Sequence, residues 1–203
     1  MRFLGKDPAS QILSLGLVYR EGAHNDRLLA LLRAEQRGYC AYTEKRFSAH
    51  DTPAVEHFDP RLKGTVDDGY RNYYAALQSA NQRKRRKDAK HEHARFFVTR
   101  FFQAAGAFER RIRYIAGDGV YEEIDPTDSE ARALIDYLGL NDHDVVDERR
   151  KHVARLRDIF LRATWSAEQQ LQHFHRHPEE LSYPTALTVE LSLDIEPLLT
   201  RSR

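Results

Sequence analysis

Between Tyr39 and Lys87 the chain collects side chains suited to breaking a phosphodiester bond. Glu56 and His57 close a short apolar run and are followed by Phe58-Asp59-Pro60. Asn72 comes next, at a loop-to-helix transition, and then Asn81, just before the basic run Arg83-Lys84-Arg85-Arg86-Lys87. Phosphodiester hydrolysis needs a base to activate water and positive charge to stabilise the transition state and the leaving oxygen. A histidine titrating near neutrality suits the first task, so His57 is the candidate general base. Hard cations prefer oxygen ligands, which Glu56 and the amide oxygen of Asn81 can supply, with water and phosphate completing the shell. Asn72 is the candidate for bonding the loop that carries His57 and holding the imidazole in place. Lys84 and its neighbours would attract a nucleic-acid backbone, giving affinity without reading sequence. The residues thus point to hydrolysis assisted by one divalent cation, Mg²⁺ or Mn²⁺.

Each residue also has a plainer reading. Most Glu-His pairs are surface or capping residues, and a basic run is more often a solvated helix face than a nucleic-acid contact. His91 and His93, two apart on an expected helix, point away from each other and read as solvated. His175 and His177 read the same way. Cys40 suits a small buried position. Tyr39, Tyr42, Tyr70, Tyr73 and Tyr74 suit base stacking, yet core packing is the commoner fate of such rings.

The elements that must position these residues follow from pattern and composition. The chain has 203 residues, 41% hydrophobic and 31% charged, with a formal charge of +1, so any attraction to nucleic acid must come from a local patch. A single cysteine excludes an internal disulfide and suits a reducing compartment. The amino terminus lacks the apolar core of a signal peptide, and no apolar run is long enough to span a membrane, which points to the cytoplasm.

Asn25 is placed to cap a helix over 26–37 that Gly38 stops. Residues 39–47 read as a short hairpin arm, 55–58 as a short strand, and 60–69 as a loop. Residues 72–80 and the basic run read as helical, at least from Ser79 onward. A helix over 90–108 is expected from Phe97, Phe101, Ala104, Ala105 and Phe108. Gly117-Asp118-Gly119 marks a hairpin over 110–124. Thr127 and Glu130 form an expected capping box for a helix ending at Gly139. A longer helix spans 144–163, and Ser166 with Gln169 opens another. In 187–195 the apolar residues Leu187, Val189, Leu191, Leu193 and Ile195 alternate with polar ones, which predicts a strand. The whole reads as α+β, with a soft boundary near 88–90 dividing residues 1–89 from a mostly helical region, 90–203.

The central residues resemble those of HNH endonucleases with the ββα-metal fold, most closely the PtuB family, the HNH subunit of Septu-type and retron-linked antiphage systems. That family reads YCAYCE, VEHF-x-P, an Asn, and Cys-x-x-Cys-Asn-x-x-Lys. The counterparts here are Tyr39-Cys40-Ala41-Tyr42-Thr43-Glu44, Val55-Glu56-His57-Phe58-Asp59-Pro60, Asn72, and Leu77-Gln78-Ser79-Ala80-Asn81-Gln82-Arg83-Lys84. The resemblance continues weakly through the hairpin at 110–124 and Leu138-Gly139-Leu140-Asn141. It implies a ββα-metal core, a nuclease effector of DNA in bacterial antiphage defence, and a partner ATPase of the ABC/SMC-like PtuA type. The zinc-knuckle positions would be Cys40, Thr43, Leu77 and Ala80. Only one is cysteine, and Leu and Ala cannot ligate a metal, so a structural zinc is not expected. The alternative is a catalytically silent binding or assembly subunit that keeps the fold, with the strand at 187–195 pairing to a partner's sheet edge.

Overall fold

The fold is a mixed α+β arrangement, seen in a computed structural model that describes residues 1–200. In chain order its elements are α1 (Gln11–Ser14), α2 (Asp26–Glu35), β1 (Pro53–His57), β2 (Tyr73–Leu77), α3 (Gln78–Arg85), α4 (Asp88–His91) and α5 (Phe96–Thr99). They continue with β3 (Ile112–Ile115), β4 (Val120–Glu123), α6 (Ser129–Leu138), α7 (His143–Arg162), α8 (Ala167–Arg176), α9 (Pro184–Leu191) and α10 (Glu196–Thr200). The four strands make two separate antiparallel pairs, β1 with β2 and β3 with β4. Among the described residues no helix is long and apolar enough to cross a membrane.

β1 and β2 align Glu56 opposite Tyr74 and His57 opposite Tyr73, and α3 starts at the residue after β2. Period-two alternation sends Tyr74 and Ala76 into the main core and Tyr73 and Ala75 into a smaller one with Ile12, Leu28, Leu32 and Tyr70. Both faces of β2 are therefore buried. That is why Tyr73-Tyr74-Ala75-Ala76-Leu77 shows no alternation, and why the expected helix over 72–80 begins only at Gln78.

Phe58, next to His57, sits in an aromatic cluster with Phe97, Phe102 and Tyr137, at ring separations of 5.6, 4.7 and 5.6 Å. This anchors the end of β1. The 39–47 arm is a knuckle closed by a bridge between Tyr39 and Arg46. Within it Cys40 and Ala41 are fully buried, and Cys40 Sγ accepts a bond from Leu77 N at 3.4 Å. Thr43, Leu77 and Ala80 are buried as well.

Several expected elements form. The hairpin, the helix closed by Gly139 in a left-handed conformation, the long helix α7, and the Ser166–Gln169 capping box are all present. Others do not. The single helix over 90–108 is instead α4, α5 and a 3-10 turn, interrupted at Arg100, which adopts φ 45°. Its apolar residues turn over a compact aromatic cluster rather than along one helical stripe. The cap of α6 is Asp128, accepting from Ala131 N, while the Thr127 hydroxyl bonds Asp125.

The strand expected over 187–195 is replaced by α9 and an irregular segment. Pro184 at the first helical position favours a helix start, and Leu187 N bonds Tyr183 O at 3.0 Å. Leu193 and Ile195 are buried beyond the end of that helix. No edge strand is offered there for a partner.

Candidate active site

β1, β2 and α3 bring Glu56, His57, Asn81, Lys84 and Arg85 to one cleft of about 310 Å³, which Tyr19, Val55, Pro60 and Lys63 complete. Strand β1 supplies Glu56 and His57, and the helix supplies the last three. Asn72 stands behind this surface, fully buried. Its amide oxygen accepts from Asp59 N at 2.8 Å, and its amide nitrogen donates to Asp59 O at 3.0 Å and Asp68 Oδ1 at 3.1 Å. Its carbonyl accepts from Phe58 N at 2.8 Å. Asn72 thus grips the chain directly after His57.

The imidazole of His57 is held edge-on between Tyr19 and Tyr73, at ring separations of 4.6 and 5.3 Å. Its Nε2 lies 3.1 Å from Asp68 Oδ2, in contact but not aligned as a hydrogen bond. Burial pushes the imidazole below its ordinary value, and the opposing pull of Asp68 is weaker. A neutral ring is the form able to accept a proton.

The sequence singles out neither Asp68 nor Tyr19. Asp68 is one of two aspartates in a loop, and nothing in its neighbourhood distinguishes it from a turn residue. Tyr19 is 38 positions from His57 (57 − 19) and belongs to no periodic pattern.

Glu56 is committed to Lys84, whose Nζ lies 2.9 Å from its carboxylate. Lys84 is fully buried, and its ammonium also reaches the Tyr137 hydroxyl at 2.9 Å, Phe58 O at 3.3 Å and Asp88 Oδ1 at 3.6 Å. Burial raises the Glu56 carboxyl above its ordinary value, and Lys84 offsets part of that rise.

The expected Mg²⁺ or Mn²⁺ is overturned by this arrangement. Among the described residues no group of three or more His, Cys, Asp or Glu side chains could hold a metal ion. The one carboxylate at the expected position already faces an ammonium group. Asn81 lines the cleft, and its amide oxygen is buried without a hydrogen-bond partner.

The basic run divides. Arg83 pairs with Asp144 at 2.8 Å, Lys87 with Asp142 at 2.6 Å, and Lys84 turns inward. Arg85 and Arg86 are exposed and have no side-chain partner among the described residues. Lys63, at the cleft, carries an exposed pair with Glu21 at 2.7 Å. Elsewhere, His91 is buried against Asp136 at 2.6 Å rather than solvated, whereas His93 is exposed. His175 and His177 are exposed.

No family model matches the chain, and neither a curated protein nor a solved structure matches it.

Proposed function

We propose that the chain is a nuclease hydrolysing phosphodiester bonds of DNA, with β1, β2 and α3 forming an HNH-type ββα unit. The observation that carries this reading is the convergence of His57, Asn81 and the cationic Lys63 and Arg85 on one cleft. A water in that cleft would give one proton to neutral His57 as its oxygen attacks phosphorus, beside Asn81 on the same cleft wall. The bond to the leaving oxygen breaks as the new P–O bond forms, and that oxygen takes a proton from solvent. Lys63 and Arg85 supply the positive charge for the phosphate oxygens, with Arg86 extending the basic surface along α3.

The test is cleavage of plasmid DNA by the purified chain beside its His57→Ala variant. Loss of a general base typically costs about 10²- to 10⁴-fold in rate. Cleavage by the variant within a few-fold of the parent removes His57 from the mechanism.

One observation favours a second reading, a subunit that binds DNA without cutting it: the closed ion pair between Lys84 and Glu56 leaves that carboxylate engaged. DNA retention that depends on Arg85 and Arg86, with no cleavage by the parent chain, would select that reading.

A further inference from the structure

The loop before β2 carries a carboxylate that is built into the cleft wall and that the reading above does not use. Asp68 presents a side chain only 5% exposed, with Oδ2 3.1 Å from His57 Nε2. Each of its carboxylate oxygens is fixed by a separate donor: Oδ1 accepts from Asn72 Nδ2 at 3.1 Å, and Oδ2 from Gly64 N at 3.1 Å. Its carbonyl accepts from the Tyr73 hydroxyl at 2.7 Å, and Tyr73 stands edge-on to the His57 ring. The carboxylate, the ring beside it and the amide that grips the following peptide therefore form one hydrogen-bonded frame around the imidazole. On the other ring nitrogen, Nδ1 has no protein partner among the described residues.

We infer that Asp68 is a positioning residue for His57: its carboxylate, 3.1 Å from Nε2 though not aligned as a hydrogen bond, favours by its charge the tautomer with the proton on Nε2, which leaves the unpartnered Nδ1 with a free lone pair. An acceptor-only group beside one nitrogen selects the tautomer in which that nitrogen carries the hydrogen. The two fixed donors make the carboxylate hard to replace by an amide. In Asp68→Asn the amide oxygen can serve only one of the two donor sites. With it on Asn72, the amide N–H₂ faces His57 Nε2, which must then accept, and the proton moves to Nδ1. The nitrogen that should take the water proton is then already protonated, with the fold left in place. The inference rests on His57 acting as the base, but its test does not.

The experiment is a tautomer assignment by NMR on the full chain with ¹⁵N-labelled histidine, at a pH where His57 is neutral, for the parent and for Asp68→Asn. The parent should carry the His57 proton on Nε2 and the variant on Nδ1. A parent ring protonated on Nδ1 overturns the inference without reference to any variant. An unchanged tautomer in a folded Asp68→Asn chain overturns it equally. In a cleaving preparation, kcat for Asp68→Asn should fall by about 10²- to 10⁴-fold with KM little changed, the pattern of a wrongly protonated base. If neither protein cuts, the nuclease reading fails, while the tautomer comparison still decides the role of Asp68.

Discussion

At the scale of single residues, the ion pair between Lys84 and Glu56 decides how the cleft is charged. Two opposite charges this well buried are worth little as a pair against apolar packing, but removing one strands the other. Lys84→Ala should therefore lower stability by about 3–5 kcal/mol, measured by chemical denaturation, because it leaves the Glu56 carboxylate without its partner. The double variant Lys84→Ala/Glu56→Ala should recover part of that loss, and failure to recover any would mean that the pair is not coupled. The same pair bears on chelation. Since the cation beside Glu56 is the chain's own ammonium, DNA cleavage should continue in excess EDTA. Cleavage abolished by EDTA and restored by Mg²⁺ would mean that Lys84 yields Glu56 during turnover. The sequence names Glu56, His57 and Asn81 together as candidates, and the fold places all three on one cleft. Asp68 is not legible in the sequence, since proximity to His57 across a loop is a property of the folded chain and leaves no periodicity behind. Nor is the inward turn of Lys84, which in the sequence is one of five equivalent basic residues.

At the scale of elements, caps and burial explain where pattern reading succeeds and fails. Helix α6 starts at Asp128, whose carboxylate accepts from Ala131 N at 3.0 Å and binds the Arg111 guanidinium at 2.6 Å. The pairing holds the Asp128 carboxyl below its ordinary range. Asp128→Ala should cost about 1–2 kcal/mol by removing the cap, whereas Thr127→Ala should cost at most a few tenths. Equal losses in thermal unfolding would show that the Thr127 hydroxyl shares the capping. Gly139 shows a stop that sequence does reveal: at φ 65° an added Cβ would lie 2.7 Å from Asp142 Oδ2, so this position demands glycine. β2 and the tail show the opposite. Burial on both faces removed the alternation from β2. In the tail, Leu187 is buried on a helix opened by Pro184 and Leu193 and Ile195 are buried in the irregular segment after it, while Val189 is exposed, so the alternation from Leu187 to Ile195 does not mark one buried face. A period of two is evidence for a strand only when a partner strand exists, and none lies beside this one among the described residues.

At the scale of the whole molecule, one buried carboxylate joins parts of the chain far apart in sequence. Glu44 leaves the 39–47 knuckle with φ 61° and is 1% exposed. It accepts from Arg2 N at 2.7 Å, from Thr185 N at 3.1 Å and from the Thr185 hydroxyl at 2.9 Å. The Met1 ammonium lies 3.6 Å away. Burial alone would raise this carboxyl, but the ammonium and the donated hydrogen bonds outweigh it, and the group sits below its ordinary value of 4.5. A carboxyl lowered on folding stabilises the folded state in its ionised form. That contribution is complete above the unfolded value and disappears as pH falls through the lower folded one. Glu44→Gln keeps the shape and removes the charge, so it should cost about 3 kcal/mol near neutral pH, the usual penalty for breaking a buried pair. The deficit should shrink as pH falls below the ordinary carboxyl range and through the lower folded-state value, because the parent's own carboxyl is then losing its charge. Denaturant titrations of both proteins across that range measure it. A deficit independent of pH would mean that Glu44 acts through shape and neutral hydrogen bonds alone, and that its charge does not hold the knuckle to the chain segments it touches.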